Sequence, residues 1–193
     1  MRTIAVFASG TGSNCENIIR YFAGSEDVRV GLVLCNKADA PVVEKARLRD
    51  VPTVIMSKKS FNDPASLLPI LREHSIELIV LAGFLLMIPD YLLAAFPRAV
   101  INIHPSLLPK YGGKGMYGHH VYEAIWEHHE RETGMTVHWV TRECDGGEII
   151  AQYRVALSPD DTLETIATKE HELEMEHFPQ VIEKVVRERF ANQ

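Results

Sequence analysis

Cysteine is scarce. The three present, Cys15, Cys35 and Cys144, are odd in number, widely spaced and contain no Cys-x-x-Cys pair. That excludes a disulfide framework or a zinc knuckle and favours free thiols in a reducing compartment, so a cytoplasmic location is expected. Long apolar runs are also missing. The longest, Leu78 to Ile88, is interrupted by Gly83 and falls far short of the roughly 20 residues of a spanning helix. Met1-Arg2-Thr3 leads straight into an apolar strand, with neither an h-region nor a small-residue cleavage site, so no leader is expected. Positive charge is in deficit: 20 Lys and Arg stand against 26 Asp and Glu, a net −6. No global field then invites nucleic acid, and neither nucleic acid nor membrane is an expected partner. Internal repeats, low-complexity tracts and linkers are absent. What remains is 193 residues, 46% hydrophobic and 24% charged, suited to one soluble domain over 1–193.

Strand and helix patterns alternate along most of the chain. Thr3–Ala8, Val28–Leu34, Pro52–Met56 and Glu77–Ala82 read as short buried strands. Cys15–Phe22, Ala40–Arg49, Ser66–His74 and Pro89–Phe96 read as helices between and after them, with Pro69 in the first turn of the third. A further strand ends at His104. The βαβα order predicts an α/β fold, a Rossmann-like mostly parallel sheet with helices on both faces. His119–Glu130 reads as a helix whose histidines at 119, 120, 128 and 129 fit no His-Glu-x-x-His spacing, so no metal is expected. Met135–Thr141 is a strand with Thr136, His138 and Val140 on one face and a buried face of Met135, Val137 and Trp139. Glu148–Val155 follows as a strand. A long helix, Thr162–Arg189, is expected to be capped by Asp160 or Asp161 and broken or kinked at Pro179.

Three stretches carry chemistry. Ser9-Gly-Thr-Gly-Ser-Asn14 lies between the first strand and the first helix, where free N–H groups and the helix dipole favour a phosphate. Cys15 stands where a dinucleotide fingerprint needs a small residue, and no Gly-Lys-Ser/Thr follows, so a plain capped turn is the competing reading. Val100-Ile-Asn-Ile-His-Pro-Ser-Leu-Leu-Pro109 runs off a strand end, where open α/β sheets bind ligands. Asn102 and His104 share a strand face and offer an amide donor beside an imidazole, a pairing suited to a carbonyl that becomes an oxyanion. The plainer reading is turn chemistry. Asp145-Gly-Gly147 is likewise a turn unless its carboxylate faces His104 and fixes that ring's orientation. The glycines at 112, 113, 115 and 118 suggest a mobile loop, either a lid or a surface connection.

Taken together, Asn102-Ile-His104-Pro-Ser-Leu-Leu-Pro-Lys-Tyr, Asp145-Gly-Gly and Gly10-Thr-Gly-Ser-Asn14 closely resemble the folate-dependent formyltransferase family across essentially the whole chain. The Gly-Ser-Asn loop points within it to the branch that serves purine biosynthesis. The resemblance implies attack by the amine of 5-phosphoribosylglycinamide on the formyl carbon of 10-formyltetrahydrofolate, a co-substrate. It implies His104 as general acid and oxyanion partner, Asn102 as oxyanion donor and Asp145 as support for His104 and relay for the amine's proton. Gly12, Ser13 and Asn14 would hold the substrate phosphate. Leu85, Leu86, Met87 and Ile88 would line the pterin pocket, with Asn102 and the segment from Val140 and Thr141 to Asp145 as its other folate contacts. Glu174 would meet the ribose, His138 and Thr136 would position, and Lys110 would assist phosphate or glutamate charge.

Four departures from the family pattern fall outside the trio. Leu86 stands where a basic residue is frequent. Asn62-Asp63-Pro64 stands where a folate-tail Arg is expected, with Lys58 or Lys59 as substitutes. Met175 follows Glu174 in place of His, and the loop from Gly112 to His120 is long. Rival readings are a formyltetrahydrofolate hydrolase, expected to carry a preceding regulatory domain, and a methionyl-tRNA formyltransferase, expected to carry a basic domain beyond residue 193. A non-catalytic nucleotide-binding α/β module also remains open, as does a homodimer.

Overall fold

The computed structural model describes residues 1–191. They form two compact units, Met1–Ile101 with the chain from Ile182 onward, and Asn102–Val181.

In the first unit, β1 (Arg2–Ala8) pairs in parallel with β2 (Val28–Cys35) and with β4 (Leu78–Leu81), and β2 pairs with β3 (Thr53–Ile55). β1 is paired along both edges, and its side chains are buried on both faces of the sheet, which is why it reads as an unbroken apolar run. Ile4 through Ala8 are fully buried. Phe7, Phe61 and Phe84 meet edge to face, with centroids 5.1–6.1 Å apart. Burying one such ring stabilises by about 1.5–3 kcal/mol.

The helices here are α1 (Ser13–Tyr21), α2 (Pro41–Arg47), α3 (Lys58–Phe61), α4 (Pro64–Glu73) and α5 (Asp90–Ala95). Helix α3 escapes the sequence pattern because four residues show no period. Helix α4 starts two residues earlier than expected. Asp63 accepts from Ala65 N at 3.0 Å and from Ser66 Oγ at 2.6 Å, and Pro64 takes the first helical position, where its missing N–H costs nothing. Pro69 therefore lies inside the helix rather than in its first turn.

Strand β5 (Val100–His104) begins in the first unit and ends in the second. The second unit adds α6 (His119–Glu127), β6 (Glu132–Trp139) and β7 (Ile149–Ala156). β6 and β7 are antiparallel, with Thr136 opposite Gln152 and a register shift at Val137/His138. Both faces of β6 are buried, including the one carrying Thr136 (0% exposed) and His138 (2%). Helix α7 (Leu163–Phe190) follows. Its cap is Thr162, whose Oγ1 accepts from Thr165 N at 3.3 Å, while Asp161 binds Ser158 N and Lys169 instead. The helix runs through Pro179 without the expected break.

Candidate active site

In the first unit, the loop after β1 ends at Gly12, which caps α1 in the left-handed region at φ 72°. A Cβ there would come within 2.5 Å of Val42, so glycine is required on two counts. Ser13 and Asn14 fall in the first turn of α1, whose capping residue makes no side-chain hydrogen bond. Ser9 ties this strand end to the segment after β4: its Oγ donates to Asn36 Oδ1 at 2.6 Å and accepts from Leu85 N at 3.0 Å. Of the four expected pterin residues, Leu85 and Met87 are 50% and 58% exposed, Leu86 is half-buried and Ile88 is buried. Two apolar side chains in water at a strand end are unlike a core segment and suit a ligand wall.

The second unit brings the polar residues together. Asn102 and His104 project from the end of β5, His138 from β6, and Asp145 from the turn before β7. His138 Nδ1–H donates to the carbonyl of Trp139 at 2.9 Å, so in the neutral ring Nε2 accepts from Asn102 Nδ2 at 3.1 Å. Asp145 faces both imidazoles. Its Oδ1 lies 3.5 Å from His138 Nε2 and its Oδ2 lies 3.6 Å from His104 Nδ1. The other nitrogen of His104, Nε2–H, donates to the carbonyl of Tyr111 at 2.7 Å. Gly113 N–H also donates to Asp145 Oδ2, at 2.9 Å. Burial pushes the Asp145 carboxyl up. His138, the charge on His104 and the Gly113 N–H outweigh burial and leave it below the ordinary carboxylate range.

The Asp-Gly-Gly turn has a steric reason. A Cβ on Gly147 would sit 1.6 Å from the carbonyl oxygen of Trp139, and Trp139 N donates to Glu148 O at 2.9 Å. The turn is pressed against β6, so Asp145 reaches the histidines with its own backbone at φ 53°.

Thr136 is saturated. Its Oγ1 donates to Ser106 O at 2.6 Å and accepts from Leu108 N at 3.1 Å and Gln152 Nε2 at 3.0 Å. It fastens the loop that follows His104 and offers nothing further to a ligand. Lys110 Nζ pairs with Glu130 Oε1 at 2.9 Å on the surface. Val140 is half-buried and Thr141 exposed, its Oγ1 donating to Glu143 O at 3.2 Å. Glu174 lies on α7 with its side chain 12% exposed and His171 Nδ1 at 3.9 Å. Tyr111, Gly113 and Gln152 are contributors that the pattern of residue types did not single out. Tyr111 stood at the end of the Asn102-to-Tyr motif and Gly113 in the Gly-rich loop without a site role, and Gln152 shows as a polar residue within β7. Among the described residues, no group of His, Cys, Asp and Glu could hold a metal ion.

Such a cluster can polarise a carbonyl through an amide N–H, deliver a proton from an imidazole and hold a carboxylate ready for one. The formyl transferase family model matches residues 2–182. The phosphoribosylglycinamide formyltransferase of Bacillus subtilis (strain 168) is 38% identical over 191 residues, 96% of this chain and 95% of that protein. The chloroplastic phosphoribosylglycinamide formyltransferase of Arabidopsis thaliana is 37% identical over 97% of this chain, which spans 66% of that protein's length. The crystal structure of phosphoribosylglycinamide formyltransferase from Bacillus halodurans superposes with a TM-score of 0.86 at 34% identity, covering 96% of this chain and 95% of that one.

Proposed function

The chain belongs to the formyl transferase family, and on that premise we propose that it moves the formyl group of 10-formyltetrahydrofolate to the amine of 5-phosphoribosylglycinamide, a step of purine biosynthesis. The observation that carries the mechanism is Asp145 placed between two imidazoles, with Asn102 bonded to one of them.

The amine is already a nucleophile, so no covalent enzyme intermediate is needed. Its nitrogen bonds to the formyl carbon, and the carbonyl π pair moves to oxygen. Asn102 meets that oxyanion: one amide N–H is oriented by His138 and the second is left for the substrate. The C–N bond to folate then breaks, the oxyanion re-forms the carbonyl, and the departing nitrogen takes a proton. His104 supplies it from Nδ1, because Nε2–H is committed to the Tyr111 carbonyl. Asp145, ionised beside Nδ1, receives the amine's proton through water and restores His104, which closes the proton balance. Gly12, Ser13 and Asn14 hold the phosphate at the start of α1. Leu85–Ile88, Val140 and Thr141 contact the folate, and Glu174 contacts the ribose.

The two compact units act as one formyltransferase domain, a reading supported by the family match across both. Cytoplasmic action is supported by three cysteines that are all free thiols. A homodimer would be recognised by its doubled mass in sedimentation.

The deciding assay follows folate turnover with and without phosphoribosylglycinamide. Turnover that depends on the amine is expected, and turnover that ignores it would mark a hydrolase instead. His104→Ala should lower kcat by about 10²–10⁴ while both ligands still bind. Undiminished turnover in that variant would remove His104 from the mechanism.

A further inference from the structure

Glu130 lies between α6 and β6 and touches none of Asn102, His138 or Asp145 in any hydrogen bond described above. Its Oε1 accepts from Tyr111 OH at 2.8 Å and from Lys110 Nζ at 2.9 Å. Those two hydrogen bonds, Lys110 first, hold its carboxyl below the ordinary range, so it is charged at neutral pH. Tyr111 is a bulky residue at φ 54°, a left-handed conformation that such side chains rarely adopt. That backbone carries the carbonyl that accepts His104 Nε2–H. The ring nitrogen is thus fixed by a main-chain oxygen held in an unfavourable conformation.

Something must hold it there, and packing does so only in part. The Tyr111 ring leans on the Val121, Ile125 and Ile166 cluster. Beside the loop, however, lies a half-open cleft of about 240 Å³ lined by Leu107, Leu108, Pro109, Tyr111 and Thr133, with Glu130 at its side. A loop flanked by a cleft rather than by packed core leans more on its polar ties. Thr136 and Gln152 tie its first half at Ser106 and Leu108, Ser106 Oγ donates to Lys110 O at 2.7 Å, and at the Tyr111 side chain the tie is the Glu130 carboxylate.

We propose that Glu130 is a positioning residue for His104, holding Tyr111 so that its carbonyl keeps the catalytic imidazole with Nε2–H bound and Nδ1 turned to Asp145. The proposal rests on His104 being the proton carrier.

The test uses the full chain and the variants Glu130→Ala, Glu130→Gln, Tyr111→Phe and His104→Ala. Two quantities are read: kcat and KM for each substrate, and the ¹⁵N resonances of His104, assigned by their loss in His104→Ala. Glu130→Ala and Tyr111→Phe should each lower kcat about tenfold, below the roughly hundredfold that a 1 Å misplacement can cost. KM should stay within about twofold, the split expected when only the transition state loses an interaction. The His104 Nε2 resonance should move as its hydrogen bond loosens. Glu130→Gln keeps an oxygen for Tyr111 OH and should recover most of the activity. If Glu130→Ala does not fold, Tyr111→Phe decides alone, since it deletes the same hydrogen bond. Should His104→Ala be inactive while Tyr111→Phe and Glu130→Ala keep both kcat and the His104 resonance, the proposal is overturned and the reaction assignment stands. A lowered Tm with unchanged kcat also overturns it. Full activity in His104→Ala would defeat the reaction assignment itself.

Discussion

Asp145 turns its two carboxylate oxygens to different imidazoles, and its side chain is only 10% exposed. Burial alone would favour its neutral form. The folded pKa nevertheless lies below the ordinary value, because His138, His104 and the Gly113 N–H prefer the anion. The sign of the linkage follows. The ionised group stabilises the fold above the unfolded carboxylate range, near pH 4, and that contribution is lost as pH falls through the folded value. Asp145→Asn should flatten the acid limb of the Tm-against-pH curve in calorimetry and lower kcat by about 10² or more. An unchanged acid limb would mean that the anion is not stabilised in the fold. Glu170 has the opposite sign. It is fully buried on α7, accepts from Thr133 Oγ1, and burial pushes its carboxyl up to about 9. Its folded state keeps a proton that the unfolded chain releases, so it costs stability progressively as pH rises from about 4.5 toward 9. Glu170→Gln should raise Tm at pH 8 and leave it nearly unchanged at pH 4.5, at roughly 2–4 °C per kcal/mol. An equal shift at both pH values would show that Glu170 is already ionised in the fold.

Thr136 on β6 and Gln152 on β7 stand opposite each other in the register. Through them the two strands hold the loop after β5 in place: Thr136 reaches Ser106 O and Leu108 N, and Gln152 reaches Leu108 O at 2.8 Å. Thr136→Val preserves shape but strands those buried groups, at a cost of about 1–3 kcal/mol. It should lower Tm and also kcat, because the loop that follows His104, and whose Tyr111 carbonyl accepts from its ring, loosens. A fall in Tm without any loss of kcat would confine Thr136 to folding. Elements were legible where period or punctuation was strong. The apolar run of β1 and the X-Pro boundaries after His104 needed no tertiary information. Misplaced features had local causes. Four residues of α3 are too few to show a period, Asp63 rather than a later residue caps α4, and Thr162 won the cap of α7 because Asp161 was taken by Lys169.

At the scale of the whole molecule, a net charge of −6 provides no long-range attraction for a phosphorylated substrate. Recognition of that phosphate should be short-ranged, so kcat/KM measured from low salt to 0.15 M, where the Debye length is about 8 Å, should change by less than about twofold. A steep fall with salt would reveal a steering field that the composition does not suggest. Residue types and spacing by themselves determined the α/β class and put Asn102 beside His104 on one strand face, while the resemblance carried by motifs each written within a few residues added Asp145 and the family. Tertiary structure alone decided which nitrogen of His104 faces Asp145 and which nitrogen of His138 meets Asn102, that Asp145 serves two imidazoles, and that Tyr111, Gly113, Gln152 and Glu130 stand behind them. Those contributions come from a carbonyl, an N–H and side chains whose value depends on distance and direction, and neither quantity is carried by the order of residues along a chain.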